Sequence, residues 1–141
     1  MKFFALILAV AMSFTAYAAE PSNESYIPGM GEIMGATQMR HAKLWFAGTA
    51  KNWDLARYEL DEIREGLEDA AKFHPEFKGA LVSVLLDKHI AQPMDSLDAA
   101  LEAKNEAKFR ESFGKLTRAC NACHQESGHG YILIKRPGVQ P

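Results

Sequence analysis

The sequence predicts an all-α protein built as an up-down-up-down four-helix bundle. Helix-forming composition runs from about residue 31 to about residue 126, and no alternating segment is long enough to indicate a strand. The tripeptide Ala-Lys-Asn occurs at residues 50–52 and again at 103–105, and apolar residues follow each copy at matching distances, which suggests two helical hairpins. With 141 residues, 48% of them hydrophobic, the chain has the length and composition of one globular domain.

The first 18 residues predict an export signal that is cleaved after Ala18. Lys2 precedes an apolar run over residues 3–10, and Ala16-Tyr17-Ala18 has the small-x-small pattern of a cleavage site. The run is short for a transmembrane helix, and no later segment approaches about 20 consecutive apolar residues. We therefore expect residues 19–141 to form the mature domain, located in the periplasm and without a membrane span.

The first two helices follow from a capping residue and an apolar seam. Helix A is predicted from Gly31 to about Gly48. Asn52 is placed as the N-cap of helix B, because its side-chain oxygen can accept from the free amides of the next turn. Pro75 ends helix B, since proline cannot continue it. The seam of helix B consists of Trp53, Ala56, Leu60, Ile63, Leu67 and Ala70.

Helices C and D complete the predicted bundle. Helix C is expected from about Glu76 to Ala103, broken or kinked at Pro93, which lacks an amide hydrogen and crowds the preceding turn. Asn105 is the N-cap candidate of helix D. In an antiparallel bundle the start of helix A and the ends of helices B and D meet, which brings Met30, Met34, His74 and residues 120–124 together. The seam of helix D consists of Phe109, Phe113, Leu116, Cys120 and Cys123.

The charge balance and the cysteine count exclude two classes of protein. Sixteen basic and 18 acidic residues give a net charge of −2, so the chain lacks the basic field that nucleic acid binding requires. Two cysteines, Cys120 and Cys123, are too few for a disulfide-stapled fold, and they lie too close together to close a large loop. The pair therefore indicates a local site.

The residues Cys120-Asn121-Ala122-Cys123-His124 form C-x-x-C-H, the attachment sequence of c-type haem. Residues three apart on a helix share one face, so both thiols can form thioethers with one porphyrin, while His124 becomes the axial iron ligand. A redox-active dithiol normally lies in a βαβ context, and a structural zinc site needs four ligands. The motif predicts one covalent haem c at the C-terminal end of the last helix.

The second axial ligand is open between several residues. Met34 is the first choice, because it lies one turn into helix A at the haem end and a thioether is a recognised haem ligand. His41, on the same face but about 10 Å further along the helix, is the alternative. The methionines also suit core filling, which leaves an iron without a sixth ligand as a further alternative. His74 is expected either to contact the haem edge or to cap helix B.

The residues after helix D are expected to turn back on the domain. Gly128 and Gly130 can adopt the left-handed conformations that end a helix. His129 is expected to belong to this turn, too close along the chain to reach the opposite face of the haem. The apolar run 131–134 is predicted to fold back over the bundle or over the haem edge, because its burial is favourable in either place.

An exported chain with four predicted helices and one C-terminal Cys120-x-x-Cys123-His124 resembles the helical-bundle monohaem c-type cytochromes, the cytochrome c′ and c556 group. The resemblance implies a haem inside the bundle, with His124 on one side of the iron and a helix A residue on the other. A methionine there implies six-coordinate iron. The chain departs from the group at Pro93 and in its long tail, residues 125–141.

Four functions are compatible with this motif. The first is periplasmic electron transfer between redox partner proteins, in which no side chain performs acid–base chemistry, so the protein is not an enzyme. The second is gas binding or sensing at an open distal site. The third is a haem peroxidase, for which His41 near Arg40 is the single suggestive pair. The fourth is a haem-free interaction module. Exposed helix faces also leave a homodimer open.

Overall fold

The computed structural model describes residues 26–138, and the predicted export signal, residues 1–18, lies outside the described residues. This part of the chain is mostly helical, which confirms the predicted all-α class. None of its helices is long and apolar enough to cross a membrane. The elements in chain order are α1 (Met30–Thr49), α2 (Trp53–Phe73), β1 (Glu76–Phe77), β2 (Ala80–Leu81), α3 (Val82–His89), α4 (Ala91–Glu102) and α5 (Glu106–Glu126).

Both predicted asparagine N-caps are confirmed. Asn52 Oδ1 accepts from the Leu55 amide at 3.2 Å, and Asn105 Oδ1 accepts from the Lys108 amide at 3.0 Å. The lysine before each asparagine has a positive φ, 60° at Lys51 and 48° at Lys104. Each asparagine amide also bonds back to a carbonyl of the preceding helix. The repeated tripeptide therefore ends one helix with a left-handed residue and begins the next with a cap.

The prediction that helix C begins near Glu76 is wrong. Residues 76–81 form a small antiparallel hairpin in which Glu76 pairs with Leu81 and Phe77 with Ala80. Its two turn residues, Lys78 and Gly79, have φ values of 51° and 84°. Two consecutive positive φ values are the requirement of the tight turn that suits twisted strands. The helix therefore begins only at Val82.

Pro93 interrupts the third helix as predicted, but the break lies at Ile90. Helix α3 ends at His89, and Ile90 has a φ of −102° before α4 begins at Ala91. A proline ring collides with the carbonyl of the residue four positions earlier, which here is His89. Pro93 itself lies in the first turn of α4, where its missing amide hydrogen leaves no helical bond unmade.

The core lies where α1 and α2 pack on α4 and α5. Three aromatic rings form its centre: Trp45 and Phe113 have centroids 4.9 Å apart, and Phe109 and Phe113 have centroids 6.0 Å apart. These pairs lie in the distance range of favourable aromatic packing. The largest fully buried side chains are Phe109, Phe113, Leu44, Leu60, Leu97, Leu101 and Leu116.

Gly48 of α1 lies directly against Phe109 of this core, and its replacement tests the packing. A Cβ at Gly48 would lie 2.1 Å from Cζ of the fully buried Phe109. We predict that Gly48→Ala lowers the free energy of unfolding by about 1–3 kcal/mol, because overpacking a dense core outweighs the gain in helix propensity. Urea denaturation measures this change.

Gly114→Ala is the matched control within α5. A Cβ there first meets Arg118 Nη1 at 3.4 Å, which is an ordinary contact with a flexible side chain. We expect this variant to gain about 0.5–1 kcal/mol from helix propensity alone. A Gly48→Ala protein as stable as Gly114→Ala would contradict the described packing.

Candidate functional site

A cavity of about 450 Å³ lies between the first half of α1 and the last turns of α5. Its volume falls within the roughly 300–1,000 Å³ of small-molecule and cofactor sites. Residues of α2, the hairpin, α3 and the segment after α5 line its other sides. The residues that α1, α5 and the following segment contribute include Met30, Gly31, Met34, Gly35, His41, Cys120, Cys123, His124, His129, Tyr131, Ile132 and Ile134.

The α1 wall of the cavity combines methionines with glycines. Met30 and Met34 are one turn apart and both line the cavity. Gly31 and Gly35 line it beside them, and a Cβ added to either glycine would meet nothing within 4 Å. The glycines therefore leave room next to each methionine, which a larger side chain would fill.

The α5 wall carries the two cysteines of the motif. Burial, with a smaller effect from the neighbouring Cys123, raises the pKa of the Cys120 thiol to about 12. Burial and the nearby Glu126 carboxylate also raise the pKa of Cys123. Both groups are therefore protonated thiols at neutral pH. A dithiol oxidoreductase needs a stabilised thiolate, so this environment does not favour that chemistry.

The ring of His124 is held by the chain that follows α5. Its Nδ1 lies 3.0 Å from the backbone carbonyl oxygen of Ile132. A carbonyl oxygen only accepts hydrogen bonds, so Nδ1 carries the proton and Nε2 of the neutral ring keeps its lone pair. Metal-binding histidines commonly have this arrangement, in which one nitrogen donates to a carbonyl and the other binds the metal.

As the sequence predicts, the apolar run after Gly130 folds back along the domain. We call residues 132–136 the C-terminal strap. Asn121 of α5 bonds to both backbone groups of Ile134, which is itself buried. Arg136 lies 5.2 Å from the centre of the Trp45 ring. The strap thus runs along α5 from the cavity toward the aromatic core, and Ile132 and Ile134 form part of the cavity wall.

His41 lines the deep part of the cavity next to the core. Its Nε2 lies 2.9 Å from Thr117 Oγ1, and its ring is 4.4 Å from that of Phe113. The Thr117 hydroxyl donates to the Phe113 carbonyl, so it accepts the Nε2 proton of His41. Burial lowers the pKa of His41 to about 4. The ring is therefore neutral, and its Nε2 is already engaged by Thr117.

Arg40, the neighbour of His41, is held away from the cavity. Its guanidinium contacts the Glu59 carboxylate at 3.3 Å and the Glu62 carboxylate at 2.8 Å, both on α2. Glu59 is itself buried, so this ion pair compensates its charge at the helix interface. Arg40 is not among the residues that line the cavity, in contrast to His41.

His74 lies outside the cavity lining. Its Nε2 is 2.8 Å from the carbonyl oxygen of Pro28, which accepts its proton. This contact joins the end of α2 to the residues before α1, and the ring also meets the edge of Phe77 at 6.2 Å between centroids. The side chain thus bonds to a carbonyl that precedes α1, whereas the sequence placed a cap on the last carbonyls of helix B.

Two aromatic residues of the cavity were not among the sequence candidates. Phe77 lines the cavity from the hairpin, and His129 lines it from the turn after α5, with their rings stacked at 5.5 Å. His129 does belong to the predicted turn. Gly79 is the local sequence signal for the turn of the hairpin, and it is a weak one because the lysine before it does not favour a positive φ.

Comparison of the chain with protein-family models, with curated proteins and with solved structures finds no match. Among residues 26–138, no group of three or more histidine, cysteine, aspartate or glutamate side chains is placed to hold a metal ion.

The buried His41 ring predicts how stability depends on pH. The pKa of His41 is about 4 in the folded protein, against 6.5 for an exposed histidine. Between these values the unfolded chain binds a proton that the folded protein does not. The free energy of unfolding should therefore fall by up to about 3 kcal/mol as the pH drops from 6.5 to 4.

Urea denaturation of wild type and His41→Gln across this range isolates the contribution of His41. Glutamine cannot titrate but keeps an N–H donor for Thr117, so the variant should lose less stability than wild type as the pH falls. Both proteins contain the same carboxyl groups, so their effect on stability cancels when the two pH profiles are subtracted. Parallel pH profiles of the two proteins would show that His41 is not the responsible group.

Proposed function

We propose that this protein is a periplasmic monohaem c-type cytochrome that transfers electrons between redox partner proteins through one covalently bound haem c. One observation carries the proposal: Cys120, Cys123 and His124 line a single cavity of cofactor size, and the Nδ1–H of His124 is bonded to a carbonyl. This bond leaves Nε2 as the free nitrogen. The motif alone does not require either a cavity or this tautomer.

The proposal includes an up-down-up-down four-helix bundle, with the haem at the C-terminal end of α5. In this bundle α3 and α4 together take the place of the third helix. The packing of α1 on α2 and of α4 on α5 supports the antiparallel order. The resemblance to the cytochrome c′ and c556 group, drawn from the sequence, remains part of the proposal.

The residues of the cavity fit a c-type haem. Cys120 and Cys123 would hold it through thioethers, and their sulfurs share the α5 wall. His124 Nε2 would bind the iron, and the Ile132 carbonyl would strengthen it as a donor through Nδ1–H. A bound haem supplies an iron that exchanges one electron between its ferrous and ferric states. The apolar lining would exclude water and so influence the potential.

Met34 remains the proposed sixth ligand. It lines the cavity from α1, beside Gly35, which leaves space next to its thioether. His41 is the weaker candidate, because its Nε2 donates to Thr117 and its ring packs on Phe113. Gas binding at an open distal site is the second candidate function, and it applies if Met34 fills space in the cavity without binding the iron.

An electron carrier is favoured over a peroxidase by the position of Arg40. A peroxidase needs groups that move protons next to the bound peroxide. Arg40 instead contacts Glu59 and Glu62 on α2. Although Arg40 and His41 are neighbours in the sequence, only His41 lines the cavity.

Covalent attachment is tested by producing the exported protein in a host that matures c-type cytochromes. We predict a coloured band that survives denaturing electrophoresis and a pyridine haemochrome spectrum of haem c. Replacing both sulfurs in Cys120→Ser/Cys123→Ser should remove the colour, because serine cannot form the thioether. Ala122→Ser is the matched control, since Ala122 is exposed between the cysteines and should keep the colour. A colourless wild-type band would refute the proposal.

The role of Met34 is tested by absorption spectroscopy of Met34→Ala. Loss of a thioether ligand should convert a low-spin reduced spectrum into a high-spin one and allow carbon monoxide to bind. Met39→Ala is the control, because Met39 lies on the same helix, is 46% exposed and does not line the cavity. An unchanged spectrum in Met34→Ala would eliminate this ligand, and carbon monoxide binding by wild type would favour gas binding.

A further inference from the structure

Asn121 occupies a position that the C-x-x-C-H motif leaves open, and its side chain forms hydrogen bonds through both its oxygen and its nitrogen. The Ile134 amide donates to Asn121 Oδ1 at 2.7 Å, and Asn121 Nδ2 donates to the Ile134 carbonyl at 2.9 Å. One amide side chain thus satisfies both backbone groups of a residue 13 positions away in the sequence. A side chain that only solubilised the helix surface would not need this two-sided contact.

The contact at Ile134 bears directly on His124. The carbonyl that accepts the Nδ1 proton of His124 belongs to Ile132, two residues before Ile134. Both backbone groups of Ile134 are bonded to Asn121, so the chain two residues earlier has little freedom to move away from α5. Asn121 therefore fixes the strap in the register that presents the Ile132 carbonyl to the imidazole.

Few other contacts hold this part of the strap. The Ile132 amide bonds to the His129 carbonyl at 2.8 Å, but His129 itself belongs to the turn after α5. Leu133 is 59% exposed, and Ile132 is 41% exposed where it lines the cavity. Asn121 and the buried Ile134 side chain thus anchor the strap on the helix beside His124.

We infer that Asn121 is a positioning residue for His124, the residue that would bind the iron: by clamping Ile134 it holds the Ile132 carbonyl against His124 Nδ1. The inference rests on the proposed haem function. A carbonyl bound at Nδ1–H increases the electron donation of Nε2 and so stabilises ferric iron. The clamp therefore lowers the reduction potential of the haem, and its loss raises the potential.

The experiment compares Asn121→Ala with wild type in the haem-bearing protein. The first measurement is hydrogen exchange at the Ile134 amide, which should become about tenfold faster without its acceptor. The second is the midpoint potential of the haem, which should rise. Asn121→Asp keeps an acceptor for the Ile134 amide but loses the donor to its carbonyl, so its exchange rate should lie between the other two.

Asn105→Ala is the matched control on the same helix. It also removes an asparagine side chain that bonds to the backbone, but its bond is the N-cap of α5 and does not involve Ile134. This variant should lower stability and leave both the potential and the Ile134 exchange rate unchanged. A general loss of stability cannot therefore imitate the effect of the clamp.

The outcomes separate this inference from the proposed function. If wild type carries haem and Asn121→Ala exchanges faster at Ile134 without a rise in potential, the positioning role is wrong and the cytochrome stands. An unchanged exchange rate also overturns the inference. If Asn121→Ala fails to fold, Asn121→Asp decides by the same two measurements. If wild type carries no haem, the proposed function fails and the positioning role fails with it.

Discussion

The hydrogen bond from His124 Nδ1 to the Ile132 carbonyl is the interaction on which the proposed site depends. In the neutral imidazole this bond places the lone pair on Nε2, the nitrogen through which the ring would bind iron. The same bond ties the segment after α5 to the helix, where Ile132 and Ile134 complete the cavity wall. The tautomer of His124 and the position of the cavity wall therefore depend on one hydrogen bond. Asn121, which lies within the motif, supports this bond by holding Ile134.

Helices α1 and α5 are in close contact at the core and separate at the cavity. At the core, Gly48 lies directly against Phe109, and the aromatic rings fill the space between the helices. At the cavity, Gly31 and Gly35 leave room instead. The apolar residues of α5 keep the same helical spacing from the core to the cavity. The two cysteines therefore lie on the core-facing side of the helix, at a level where the cavity separates α5 from α1.

The sequence predicts those features that local interactions determine. The caps at Asn52 and Asn105 and the seam of α5 follow from short-range patterns. The start of α3 differs from the prediction because the apolar residues after Gly79 have helical spacing, while Gly79 alone is a weak turn signal. Two site contacts have no local signature at all: His41 meets Thr117 across 76 positions, and Asn121 meets Ile134 across 13. Such contacts form because helices pack together and because the chain after α5 folds back along the helix. The spacing of residues in the sequence does not indicate either event.

The central claim is that the two sulfurs of α5 hold one haem beside His124, and intact-protein mass spectrometry under denaturing conditions tests it most directly. The protein should be purified from a host that exports it and matures c-type cytochromes. The account predicts the mass of the processed polypeptide plus one haem, retained after the fold is lost, because thioether bonds survive unfolding. A mass equal to the polypeptide alone would contradict the account.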